Sequence, residues 1–445
     1  MLLEIVSSAL MGGIALYAQT KKSGATNDSS KLNKIFSLTG LNVRDGDKTY
    51  TAQLVKKVNH RWGTEYRYRI PLGRSFEDYQ AKLNHIQDGL NNRKTTLQFT
   101  WPDVKALDRA RPLLPQIKAL VTKKKAAKKE VELSYDGLLK VKVYNHPLPT
   151  LVKYEDVYAP GRWSVPVGQI REGNTIVHHD FEQVPHMVVG GATRYGKSNF
   201  LNMVITTLLA QQPENVRFTL IDLKGGVEFA GYRDMKQVVH HAEEPEEAEA
   251  ALQAIVEEMR GKQSALKQKG VRNVQEARED SRHFIIVDEV GELNPDEAVT
   301  KDERQLKERC QTYMSQIARL GAGLGYRQIL ATQYPTGDVI PRQCKQNSDA
   351  KLCFRVQTAT ASRVVLDETG AETLPEIRGR AIYQTADKRQ IVQTPLIDTQ
   401  TIRHVVQPYI TIKPRKEHDD ADRNSKADRT TGANPPQPGQ IQFFD

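Results

Sequence analysis

An eight-residue loop, Gly191-Ala192-Thr193-Arg194-Tyr195-Gly196-Lys197-Ser198, follows the apolar run His186-Met187-Val188-Val189 and opens onto the helical pattern of Asn199 to Leu209. A glycine-bracketed loop ending in Gly-Lys-Ser between a buried strand and a helix constrains the chain strongly. The glycines let the backbone wrap an anion, the loop amides and the positive helix end supply donors, and a lysine adds a point charge. This order predicts a parallel α/β sheet and a site for a nucleoside triphosphate such as ATP, bound by residues 191–198. Lys197 then neutralises the β/γ oxygens, and the Ser198 hydroxyl holds Mg2+.

Three further apolar runs end in polar residues. Phe284-Ile285-Ile286-Val287 runs into Asp288-Glu289, Gln328 to Thr332 into Gln333, and Phe218 to Ile221 into Asp222. In parallel α/β sheets ligands sit beyond the carboxyl ends of the strands, so these side chains are expected at the nucleotide edge. Asp288 is the candidate Mg2+ residue, Glu289 the base that deprotonates the attacking water, and Gln333 the sensor of the γ-phosphate. Asp222 reads equally as a strand-end cap or as a member of the site.

The 445-residue length allows two or three domains. Residues 1–20 contain the apolar stretch Leu2 to Ala18, interrupted by Glu4 and followed by Lys21-Lys22. That arrangement is expected to be a single membrane anchor with the bulk of the chain on the cytoplasmic side. Residues 21–45 read as a linker. Residues 46–150 read as a small mixed α/β domain, with short strands between Leu41 and Pro71, a helix over Phe76 to Leu90, strand character at Leu97 to Trp101 and an extended segment from Leu133 to Tyr144. Strands alternating with long helices over 151–412 predict a sheet covered on both faces. The polar, proline-containing tail 413–445 is expected to be disordered.

The net charge of +10 suits a partner such as nucleic acid or an anionic lipid surface, and the cluster at Lys123-Lys124-Lys125 and Lys128-Lys129 reads equally as a solvated helix face or a nucleic-acid contact. Cys310, Cys344 and Cys353 lack the spacing of a zinc site or a redox pair. The doublets His178-His179 and His240-His241 read as loop or surface residues, since neither has the i, i+4 spacing of a helical metal site.

Beyond the loop, Pro185-His186, Ile221-Asp222-Leu223-Lys224, Gly270-Val271-Arg272-Asn273, Asp288-Glu289, Leu330-Ala331-Thr332-Gln333, Ser362 to Asp367 and Gly370-Ala371-Glu372 occur in order. In this series the region from about 160 to 395 resembles the FtsK/SpoIIIE family of hexameric DNA translocases. The resemblance implies a RecA-like P-loop motor, a homo-hexamer, and an arginine acting across subunits. Arg363 is the first candidate for that arginine, then Arg319, with Arg327 also considered. Three positions depart from the family pattern: bulky Arg194-Tyr195 in the loop, Gly321-Ala322-Gly323 without the usual arginine, and Tyr334 after the glutamine.

A single anchor, one small domain, one motor and a tail too short for a winged-helix module look most like the coupling ATPases of Gram-positive conjugative elements. Such a resemblance implies an ATP hydrolase that pumps DNA at the cytoplasmic membrane, with a relaxase or transfer-channel proteins as further partners. The alternatives are a protein-secretion ATPase of the same family and an ATP-switched DNA-recruitment or replication protein.

Overall fold

The computed structural model describes residues 28–91, 129–157, 161–173, 175–333, 337 and 339–411. The expected anchor over 2–18, the strand at 97–101, the lysines at 123–125 and 128, Tyr334 and the tail 413–445 lie outside the described residues. Among the described residues no helix is long and apolar enough to cross a membrane.

The small domain begins earlier than its sequence suggests. Residues 21–45, expected as a linker, contain helix α1 (Asp28–Leu38), whose Leu32 and Phe36 are buried. The spacing of Leu32, Ile35 and Phe36 is helical, and the polar start Asp28-Ser29-Ser30 masks it. After it come β1 (Val43–Asp45), β2 (Lys48–Tyr50), β3 (Gln53–Asn59), β4 (Gly63–Arg69), α2 (Phe76–Ala81), α3 (Leu83–Asn91), β5 (Glu130–Tyr135) and β6 (Leu139–Tyr144). The single helix expected over 76–90 is thus two, broken at Lys82, and the extended segment 133–144 lies mostly in a hairpin.

Strands β3-β4-β6-β5 form an antiparallel sheet in that order. Its inward residues Tyr68, Leu139 and Val141 meet Leu32, Phe36, Tyr79, Ile86 and Leu90 from the helices. Phe36 stands edge-on to both Tyr68 and Tyr79, with ring centroids 5.4 and 5.2 Å away. Burying a side chain such as Phe36 stabilises the domain by about 2 kcal/mol. Lys129, reaching Asp28 at 2.5 Å, pins α1 to the start of β5.

The second region is built on β7 (Ser164–Gln169), β8 (Ile176–Asp180), β9 (Met187–Gly190), α4 (Lys197–Gln211), β10 (Val216–Asp222), β11 (Val238–Ala242), α5 (Pro245–Gln268), β12 (Arg282–Asp288), α6 (Lys301–Leu324) and β13 (Tyr326–Thr332). It continues with α7 (Arg342–Asn347), β14 (Ala350–Phe354), α8 (Ala359–Leu366), β15 (Arg380–Gln384), β16 (Arg389–Gln393) and α9 (Thr399–Val406). One ten-stranded sheet has the order β11-β10-β12-β13-β9-β14-β15-β16-β7-β8. It is parallel from β11 to β14, and the pairings from β14 to β8 are antiparallel.

Helices cover both faces of this sheet, so its central strands are apolar throughout. Val188 packs with Ile285, Val287 and Leu330 under α5, α6 and α8, whereas its neighbour Val189 packs with Phe284, Ile286 and Ile329 under α4 and α9. The histidine doublets, expected as loop or surface residues, lie in strands β8 and β11. His179 is buried, with Nδ1 2.8 Å from the Tyr383 hydroxyl.

Candidate nucleotide site

Strand β9 sits between β13 and β14, and β13 separates it from β12. The carboxyl end of β9 leads into the loop 191–196, that of β13 into Gln333, and that of β12 into Asp288-Glu289. Parallel pairing therefore brings three segments, distant in sequence, to one edge.

The loop is shaped by close approaches. A Cβ on Gly190 would lie 2.2 Å from the Val365 side chain of α8, and one on Gly191 2.6 Å from Phe354 of β14. Its first two residues are held by hydrogen bonds from the Gly191 amide to the Thr332 carbonyl (3.2 Å) and from the Ala192 amide to that of Arg355 (3.0 Å). Within it, the amides of Thr193, Gly196 and Ser198 take no backbone acceptor among the described residues. Those donors, at the start of the 15-residue α4, suit an anion.

The departure at Arg194-Tyr195 has a local account. Arg194 adopts φ +73°, the left-handed conformation that favours glycine, with its side chain exposed. Tyr195 turns inward, packs on the core beneath α4, and its carbonyl accepts the Gly379 amide at 2.9 Å. The bulky pair thus straddles the loop, one side chain outside and one beneath.

Lys197 and Asp288 are both buried and form an ion pair. Burial pushes the Asp288 carboxyl above its ordinary range; the Lys197 ammonium opposes this, and the nearby Asp222 and Glu289 add to it. Glu289 is also buried, in a left-handed turn at φ +65°. It accepts from the Thr332 hydroxyl at 2.8 Å and from the Gln333 amide at 3.0 Å, and pairs with Lys224 at 2.8 Å. Such backbone strain in a non-glycine residue costs about 1–3 kcal/mol and persists where several bonds enforce it. The Gln333 side chain reaches back to the loop and accepts from the Thr193 hydroxyl at 3.1 Å.

Asp222 pairs in register with Asp288 on the adjacent strand and accepts from the amides of Glu228 (2.7 Å) and Lys224 (3.2 Å). It therefore caps the loop after β10 as well as facing the site. This loop delivers two residues that the sequence reading did not assign. Lys224 holds Glu289, as above, and Glu228 accepts from Asn202 of α4 at 2.5 Å, with the Ser198 side chain close by. Burial raises the Glu228 carboxyl, the nearby Ser198 hydroxyl and the Asn202 amide resist, and Asp288 and Asp222 push it further up. The signal was present as a carboxylate six residues beyond a strand-end aspartate, but only the folded loop shows which way it turns.

The residues fit a magnesium triphosphate: open amides for oxygens, a lysine, and the Ser198 hydroxyl and Asp288 carboxylate as oxygen donors for a hard cation. Of the arginines considered for a neighbouring subunit, Arg363 and Arg319 are exposed on α8 and α6. Arg327 is not available: it is 1% exposed at the amino end of β13, 2.8 Å from Glu182, and donates to the Ala322 and Tyr326 carbonyls. That end of the sheet is opposite the nucleotide edge.

Residues 155–294 match the FtsK/SpoIIIE family. Over 242 residues the chain is 33% identical to the DNA translocase FtsK of Chlorobaculum tepidum, covering 50% of this chain and 29% of that protein. Over 352 residues it is 28% identical to the DNA translocase FtsK of Lactiplantibacillus plantarum, covering 73% of this chain and 42% of that one. The chain thus spans less than half the length of these curated relatives. In three dimensions it is similar to the pCW3 conjugation coupling protein TcpA, solved in its monomer form with ATPγS, at a TM-score of 0.57 and 21% identity, covering 86% of this chain and 99% of that one. With the loop, the Asp288-Glu289 strand end and Gln333 gathered on one edge, the chain carries an FtsK/SpoIIIE family domain on a P-loop ATPase fold.

Proposed function

We propose that this protein hydrolyses ATP to move DNA, and that it does so as a coupling ATPase at a membrane. The observation that carries the hydrolytic reading is Glu289, a buried carboxylate held by Thr332, the Gln333 amide and Lys224 beside the phosphate loop. The family match of residues 155–294 and the relatives' printed activity support DNA as the track.

In this reading the loop amides and Lys197 bind the β- and γ-phosphates, so Lys197 exchanges Asp288 for an anionic oxygen. Bound Mg2+, held by Ser198 and Asp288, would neutralise charge on the phosphate oxygens. Glu289 takes the proton of the attacking water. Gln333, tied to Thr193, senses whether the γ-phosphate is present. Arg363, or Arg319 in its place, stabilises transition-state charge from the next protomer of a hexamer. Basic loops grip DNA phosphates as it passes, residues 2–18 anchor the chain, and a relaxase or transfer-channel component completes the pathway.

ATP turnover measured with and without duplex and single-stranded DNA over a salt series tests this directly. Stimulation that falls steeply with salt is expected, since phosphate contacts release counterions. A rate indifferent to either DNA at low salt would sink the translocase reading. Membrane fractionation with and without residues 1–20 tests the anchor, which is expected to move the chain from the membrane to the soluble fraction when removed.

A further inference from the structure

The phosphate loop occupies only one end of its cavity. The space, about 410 Å³, continues from Lys197 and Ser198 to a wall formed by Thr150 and Leu151 on one segment and Pro395 and Leu396 on another. Leu151 and Leu396 are 54% and 53% exposed, among the large aliphatic side chains that the fold leaves uncovered. Leu151 belongs to the connector between the small domain and the large sheet, and Leu396 follows the last strand.

The wall is fixed before any ligand arrives. Leu396 donates its amide to the Val152 carbonyl at 2.8 Å and accepts from the Tyr154 amide at 3.0 Å. Asn199, in the first turn of the phosphate-loop helix, donates to the Pro395 carbonyl at 2.7 Å and accepts from the Ile397 amide at 3.1 Å. Arg380 binds the Leu148 and Pro149 carbonyls at 3.2 and 2.8 Å. The separation between loop and wall is thereby set by side chains of the sheet and of α4.

Two polar side chains along the wall, Gln393 and Thr394, are already engaged. Gln393 accepts from Arg380 at 3.0 Å and donates to the Arg378 carbonyl at 2.8 Å, and the Thr394 hydroxyl donates to the Gly379 carbonyl at 3.1 Å. Selective recognition of a base edge needs free, fixed donors and acceptors, whereas aliphatic side chains offer only a surface for the base's flat face.

We propose that Leu151, Pro395 and Leu396 form the nucleobase seat, and that the connector from the small domain is therefore part of the nucleotide site. The base is held by its flat face against these side chains. This rests on the reading of residues 191–198 as a triphosphate site and goes beyond it by assigning the other end of the cavity.

The test is binding of ATP, GTP and inorganic tripolyphosphate, each with magnesium, to the full chain and to its Leu151→Asn and Leu396→Asn variants. Both side chains are half exposed, and an unchanged thermal midpoint verifies that each variant folds. Each variant is expected to weaken ATP and GTP about tenfold, the effect of losing one aliphatic contact surface. Tripolyphosphate, which has no base, is expected to bind all three proteins equally. Unchanged ATP affinity in both variants, or an equal loss of tripolyphosphate, would each overturn the proposal. Failure of the wild-type chain to bind any of the three would instead refute the triphosphate site itself.

Discussion

Strands β12 and β13 carry buried charges at both ends, and the two ends treat them differently. At the amino end, Arg282 and Arg327 share Glu182, which Gln275 also reaches, and the guanidinium groups spend further donors on the carbonyls of Glu279, Ser281, Ala322 and Tyr326. At the carboxyl end, Lys197 meets Asp288, and Glu289 is held in a left-handed turn by a hydroxyl, an amide and Lys224. The first cluster is closed by the protein's own groups save for the Arg327 Nε, which has no acceptor among the described residues. The second is paired one to one beside open amides, so a ligand with more negative charge can take over the lysine. Closure serves stability, and incompleteness serves binding.

The largest effect that can break this contrast is at Glu289. Glu289→Gln is expected to slow ATP turnover by about 10²–10⁴-fold while equilibrium binding of ATP is unchanged. A variant that turns over at the wild-type rate would make Glu289 a structural carboxylate like Glu182.

Next in size is Glu182→Ala. It strands two buried guanidinium groups, and urea unfolding is expected to show a loss of about 3 kcal/mol, with ATP affinity at native conditions retained. The same carboxylate predicts an acid transition. Burial alone would raise its pKa, but hydrogen bonds from Arg282 and Gln275 and the charges of Arg327 and Arg282 outweigh burial and hold it at about 2, against an ordinary 4.5. A depressed folded pKa means that this stabilisation is complete above about pH 4.5 and is lost as pH falls toward 2. Unfolding free energy measured across that window is expected to fall more steeply in the wild type than in Glu182→Gln.

A smaller change is expected from Glu228→Gln. Because Glu228 lies beside Ser198 and fixes Asn202, its loss should raise the Mg2+ concentration needed for half-maximal turnover by about tenfold, with little change in the saturated rate. A fall in the saturated rate alone would place Glu228 in the chemistry rather than beside the metal. The smallest effect is at Arg194, whose left-handed backbone costs about 1 kcal/mol that glycine would not incur. Arg194→Gly is expected to raise the thermal midpoint by a few degrees, and an unchanged or lowered midpoint would show that the arginine side chain compensates.

Much of the carboxyl-end edge was legible because each part is a local pattern: a loop between strand and helix, carboxylates after an apolar run, a glutamine after another. Parallel topology then does the gathering, so residues as far apart as Thr193 and Gln333 meet without any signal for that pair. The amino-end cluster was not legible. Glu182 lies 100 residues from Arg282 and 145 from Arg327, and no short pattern joins them. Arg327 looked like a free arginine near a motif for the same reason. Helix α1 was hidden by its polar first turn, and the turn of Lys224 and Glu228 toward the site depends on Asp222 folding the loop around its carboxylate.

The pairing of the connector with the segment after β16 has a mechanical consequence. Val152 to Tyr154 and Leu396 run parallel and are joined by two hydrogen bonds, with Lys153 opposite Leu396. Tension between the small domain and the last helix would pull the two segments in opposite directions along their length, loading those bonds in shear. The force path crosses the molecule at this short seam, and the strand that feeds the phosphate loop lies outside it.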